Sequence, residues 1–160
     1  MPLTFFLRLD DIPGESADSR HAKEIELLRW SWGLENSGGV QFGGGGGAGK
    51  VAFSPLQVTK QVDSASPALM ALVASGKHIA TGTLTVVTVG DPGRDVLEVA
   101  MEDILVTAWT TEEATGNDWA EEDVSLTPVK VTVTHRAQNP DGTLAEPQVF
   151  GWDVRANQKV

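Results

Sequence analysis

The 160-residue sequence predicts a mainly β fold with one α-helix, its antiparallel strands forming a small barrel or a tightly bent sandwich. Three observations predict it. Apolar residues recur with period two rather than with the helical period of 3.6. Several runs change phase midway, which moves the apolar side to the other face, as in strands that serve two sheets. A single stretch, Ser66 to Gly76, carries the residues that start and stop a helix.

Taken in order, Phe5, Leu7 and Leu9 put one face of a first strand in the core. Ile25 and Leu27 begin a second. Its phase then slips to Leu28, Trp30, Trp32 and Leu34, which predicts a bulge or bend near Leu27-Leu28. Val51 and Phe53 start a third, which continues beyond Pro55 as Leu56, Val58 and Val62. Residues 82–89 form a fourth strand rich in Thr and Val. Residues 95–109 form the longest run. Leu97, Val99 and Met101 share a face, Asp103 marks a switch, and Ile104, Val106 and Ala108 follow on the other parity. Val124 and Leu126 begin a strand that Pro128 shifts to Val129, Val131 and Val133, and Phe150, Trp152 and Val154 make the last. The total is about seven strands. In the helix, Ser66 is expected as the cap, Pro67 at the first helical position, Gly76 as the left-handed stop, and Leu69, Leu72 and Val73 as the buried face. Asp91-Pro92-Gly93-Arg94-Asp95 and Asn139-Pro140-Asp141-Gly142 have turn chemistry. Two longer loops, residues 10–22 and the glycine-dominated 35–50, complete the chain. No composition shift or repeat divides it, so residues 1–160 are expected to form one domain.

Composition narrows the function. The 41% hydrophobic and 21% charged content is ordinary for a globular protein. A net charge of −10 opposes association with phosphate backbones and anionic lipid, so neither nucleic acid nor a membrane is expected as a partner. No apolar run reaches the roughly 18 residues of a membrane span. The N-terminus meets Asp10 and Asp11 without a basic region and does not read as a secretory signal. The absence of cysteine removes thiol chemistry, disulfides and Cys-ligated zinc.

The motifs that could carry chemistry fall short of it. Gly44 to Lys50 has the spacing of a phosphate-binding loop, G-x-x-x-x-G-K. That loop needs a Ser or Thr next and then a helix, and here Val51 opens a strand that Pro55 closes. His21, His78 and His135 have no partner at a metal-ligand spacing and read as surface or hydrogen-bonded loop histidines. No serine sits in a nucleophile elbow. The acidic residues of 112–123 lack a calcium-loop pattern and read as a solvated loop. Trp30, Trp32 and Trp152 stand at core parity, whereas Trp119 lies among those acids and is a candidate interface anchor. No catalytic, metal or cofactor site is expected. A hydrolytic enzyme acting through the carboxylate cluster is the alternative from another class, against which the missing motif counts.

The residues also resemble a known family. Phe6-Leu7-Arg8-Leu9 followed by Ile12-Pro13-Gly14-Glu15-Ser16 resembles the N-terminal strand and loop of haemolysin-coregulated proteins (Hcp), the tube subunits of type VI secretion systems. Ile25-Glu26-Leu27-Leu28-Arg29-Trp30-Ser31-Trp32-Gly33 is similar to that family's I-x-V/L-L-S-W-S-W-G, with Arg29 where Ser is frequent. Phe53 to Leu69 is similar to its F-x-x-x-K-x-x-D-x-A-S-P-x-L stretch. Ser75-Gly76-Lys77-His78-Ile79, Asp103-Ile104-Leu105-Val106 and Gly151-Trp152-Asp153 with Asn157 are similar to three further blocks.

The resemblance implies an Hcp-like fold, a small closed or nearly closed barrel with a flanking helix. It implies hexameric rings that stack into a tube inside a contractile sheath, with small effector proteins in the lumen and a spike protein at the tip. It implies a non-enzymatic subunit, cytoplasmic before assembly and then expelled without a signal peptide. The chain ends seven residues after Asp153, so no fused toxin domain is expected. In the family an extended loop reaches the neighbouring ring. Here that loop spans roughly 36–50, which makes Gly43, Gly44, Gly45, Gly46, Gly47 and Lys50 the candidate ring-stacking residues. A single-ring effector chaperone or adaptor that builds no long tubes is the alternative.

Overall fold

The computed structural model describes residues 2–36, 50–112 and 120–160. Among them are eleven strands and one helix: β1 (Leu3–Leu9), β2 (Ile25–Leu27), β3 (Arg29–Ser31), β4 (Leu34–Asn36), β5 (Val51–Phe53), β6 (Leu56–Gln61), α1 (Ser66–Ser75), β7 (Ile79–Thr88), β8 (Asp95–Glu112), β9 (Glu121–His135), β10 (Gln148–Asp153) and β11 (Gln158–Lys159). The strands outnumber the expected seven because two long runs are cut. The second becomes β2, β3 and β4, the third is split at Pro55 into β5 and β6, and β11 is added at the C-terminal side.

The main sheet runs β11-β10-β9-β8-β7-β1-β2, and every pairing in it is antiparallel. β9 is long enough to serve two neighbours on its free side. Its C-terminal half pairs with β10 and its N-terminal half with β6, which in turn pairs with β3. β2 and β3 are one run of chain interrupted at Leu28, the first on β1 and the second on β6. The sheet thus curls into a nearly closed barrel with a seam at Leu28. There the Leu28 N–H donates to the Thr59 carbonyl at 2.8 Å. Past that bond Glu26 and Leu27 face Gln61 and Val62 across a cavity of about 300 Å³. Glu15 spans its mouth by accepting the Ser64 N–H at 2.8 Å.

The expected phase changes have backbone causes. Asp103 has φ of 53°, a left-handed conformation that turns the strand over between Met101 and Ile104. Met101 and Ile104 are both buried although their parity differs. Val99, Leu7, Ile25, Leu56, Leu84 and Leu126 complete the centre of the core. Each such side chain contributes about 1.5–3 kcal/mol through burial. Gly82 is required where β7 crosses this core, because a Cβ there would lie 2.7 Å from Leu9 and 2.9 Å from Ile104.

Other placements differ from expectation. Leu28, Leu34 and Val62, expected on the apolar face, are 43%, 49% and 40% exposed, since Leu28 lies at the seam, Val62 beyond the end of β6, and Leu34 on a hairpin outside the main sheet. Trp30, Trp32 and Trp152 are half-buried against the core. Phe6 is buried although its parity differs from Phe5, Leu7 and Leu9, because it stacks on His21 at 4.6 Å. The helix cap also moves. Ala65 holds the cap position, Asp63 Oδ1 accepts the Ala65 N–H at 2.9 Å, and the Ser66 hydroxyl is turned inward. Gly76 ends the helix as expected, with φ of 67° and its N–H on the Leu72 carbonyl.

Candidate assembly surfaces and the clusters that hold them

Among the described residues Lys60 is a fully buried charged group. Along β6 it shares parity with Leu56 and Val58, so the pleat points it into the core. Its ammonium donates to Asp63 Oδ1 at 2.8 Å, to the Gln61 carbonyl at 2.9 Å and to Glu122 Oε1, and lies 3.3 Å from the Ser66 hydroxyl. Glu122 is fully buried on β9, directly opposite Lys60. Its second oxygen accepts the Trp109 indole N–H from β8 at 2.8 Å, and Ser66 donates to the first at 2.7 Å. One cluster therefore ties β6, β8, β9 and the start of α1 together with its buried groups partnered. The acidic stretch expected as a solvated loop is in part a strand. Glu121 faces Arg29 at 3.2 Å, Asp123 accepts from Thr59, and Glu122 is interior. The burial of Glu122 follows from a register that sequence reasoning did not reach, although the inward parity of Lys60 was a signal.

A second cluster joins three of the motif blocks. Asp103 accepts from His78 Nδ1 at 2.6 Å and from Arg155 at 3.1 Å. The His78 hydrogen bond, with the charge of Arg155, holds the Asp103 carboxyl below the usual range. A third pins the loop between β1 and β2. His21 is buried, with Nδ1 3.0 Å from Glu24 and Nε2 3.2 Å from Asp95, and Arg20 pairs with Asp95 at 3.1 Å. Gly14 belongs to this loop because a Cβ there would sit 2.4 Å from the Glu24 carbonyl. His21, His78 and His135 are thus hydrogen-bonded loop or strand-end residues, as expected. No group of three metal-ligating side chains occurs among the described residues.

The sequence-predicted site residues are not brought into one place. Gly43 to Gly47 and Trp119 lie outside the described residues. Lys50 is exposed just before β5, so a strand rather than a helix follows it. β4 and β5 form a separate two-stranded ribbon that carries the chain out to residue 36 and back from residue 50. Trp32 and Phe53 stack at its base with ring centroids 5.7 Å apart.

This defines a class: a small, nearly closed antiparallel β-barrel protein whose polar clusters brace its own elements. The chain belongs to the family described as type VI secretion system effector, Hcp, whose model matches residues 6–135. The protein Hcp1 of Pseudomonas aeruginosa strain PAO1 is 38% identical over 159 residues, which cover 98% of each chain. A solved type six secretion system protein is 28% identical with a TM-score of 0.93, covering 99% of this chain and 100% of its own. The crystal structure of Hcp1 from Salmonella typhimurium is 28% identical with a TM-score of 0.82 and full coverage of both chains. No helix among the described residues is long and apolar enough to cross a membrane.

Proposed function

We propose that this chain is a structural tube subunit and secreted component of a type VI secretion system. Six copies close a head-to-tail ring, and rings stack into a tube that carries effectors. The observation that carries the reading is the match to Hcp proteins along nearly the whole chain, in sequence and in fold. The chain acts as one domain over residues 1–160 and without catalysis or a cofactor. Its partners are other copies of itself, small effector proteins in the lumen, a spike protein at the tip and a contractile sheath. It is cytoplasmic before assembly and leaves the cell through the apparatus.

The β4–β5 ribbon supports a stacking role for the loop it carries. A lone two-stranded ribbon is marginal by itself, and Leu34 on it is half exposed. Gly43 to Gly47 with Lys50 form the ring-stacking loop, and Trp119 is an interface anchor. Native mass spectrometry paired with negative-stain imaging tests the reading. The expected result is a species of six times 17.0 kDa whose rings form filaments. Rings that never stack would favour the single-ring adaptor, and a strictly monomeric protein at high concentration would sink both.

A further inference from the structure

We propose that the exposed face of α1 and the open edge of β10 are the two halves of one contact, each docking on the other in a neighbouring copy of this chain. The inference rests on the ring reading above and assigns it a surface.

α1 carries no charged residue over its ten positions, Ser66 to Ser75. Leu69 points into the core, yet Pro67, Met70, Ala71 and Ala74 on the other side are exposed and apolar. A helix that is apolar on all sides is normally covered. Beside it runs a groove of about 500 Å³, floored by Ile12, Ala68, Leu72 and Ile79. Asp11 and Lys77 stand on its rim, and among the described residues neither has an ion-pair partner.

β10 offers a counterpart. The stretch Pro147 to Trp152 carries no charge, with Val149 63% and Phe150 38% exposed. β9 occupies one side of β10. On the other side β11 pairs only with Trp152 and Asp153, so the edge at Gln148 to Phe150 is open among the described residues. Glu146 precedes this stretch and Lys159 lies opposite its end, both exposed and without an ion pair among the described residues.

A chain of net charge −10 repels its own copies, and that repulsion is weakest where both facing surfaces are neutral. The helix face and the β10 edge are such surfaces. Their unpaired margins also match in sign, Glu146 with Lys77 and Lys159 with Asp11. Because the two patches differ, their contact is heterologous, the kind that closes a ring.

The test uses the full chain, with native mass and light scattering over a dilution series. Ala71→Glu and Val149→Lys each place a charge on an exposed position. Each is expected to raise the concentration at which half the chains are in rings by more than about tenfold. Circular dichroism and the thermal midpoint of the monomer should not change, because neither side chain is in the core. The double variant Ala71→Glu/Val149→Lys restores an opposite-charge pair and should regain most of the lost assembly. Met70→Lys with Phe150→Glu repeats the logic with the signs reversed and covers a first pair that folds poorly. Rings that survive both single substitutions would overturn the surface assignment while leaving the ring reading in place. Singles that disperse the ring without rescue by either double variant would show that the patches are not each other's partner. A wild-type chain that never forms rings would overturn the underlying reading as well.

Discussion

Lys60 and Glu122 show how one pair can matter more when broken than when present. Both are taken wholly from water, and desolvation consumes most of what their attraction returns. Removing only the ammonium leaves Glu122 buried and Asp63 mostly so, without their cation. Lys60→Met is expected to lower stability by about 3–5 kcal/mol, as for other broken buried pairs. The double variant Lys60→Met/Glu122→Gln keeps an acceptor for the Trp109 indole and should cost less than that single change. Urea unfolding of the monomer reads these two and Glu122→Gln alone, and a double variant whose loss equals the sum of the two singles would show the two residues act independently. Part of this cluster was legible beforehand, since Lys60 alternates with Leu56 and Val58 and so had to face the core. Its partner was not. Glu121, Glu122 and Asp123 are consecutive acids, and only the register of β6 against β9 decides which of them meets Lys60. Two strands sixty residues apart in sequence set that register, and no local pattern encodes it.

At the level of the elements, changes of phase were the informative signal. The switch at Asp103 and the break at Leu27-Leu28 both appear as backbone events, a left-handed residue in one case and the junction of β2 with β3 in the other. Period two alone could not foresee that Leu34 leaves the barrel, because an apolar residue on a projecting ribbon has the same alternation as one in the core. The ribbon also frames the candidate stacking residues, which lie outside the described residues apart from Lys50. Deleting Gly43 to Gly47 should leave monomer stability and the single ring unchanged. Five glycines carry no side chains and so bring almost no apolar area to bury. Tube length in negative stain should change instead. A deletion that unfolds the monomer or disperses the ring would make the loop part of the subunit's own structure.

For the molecule as a whole, the response to acid follows in part from four aspartates at its surface, two of them partly buried. Asp10 is lowered chiefly by the Thr81 hydroxyl, Asp18 by the Arg20 backbone N–H, Asp103 by His78 and Asp141 by the Thr143 hydroxyl. A carboxyl whose pKa is lower folded than unfolded adds stability that is complete above the usual aspartate value of 3.8. That contribution is lost only as pH falls through the lower folded values. The contribution of these four should therefore be flat from pH 7 to about pH 5 and decline below it. Comparing the urea midpoint of wild type with Asp103→Asn across that range checks this, and a difference that shrinks between pH 7 and 5 would contradict it. The seam at Leu28 has a consequence for how the chain is made. Residues 25–31 complete the barrel by lying on β1 with one end and on β6 with the other. But β1 waits for β7, and β6 waits for residues 121–126 of β9. During synthesis the N-terminal third leaves the ribosome with bare strand edges that find their neighbours only after most of the polypeptide has emerged. The nascent chain is thus obliged to stay soluble while unfinished, and a polypeptide halted before β9 would be a template for aggregation rather than a smaller barrel.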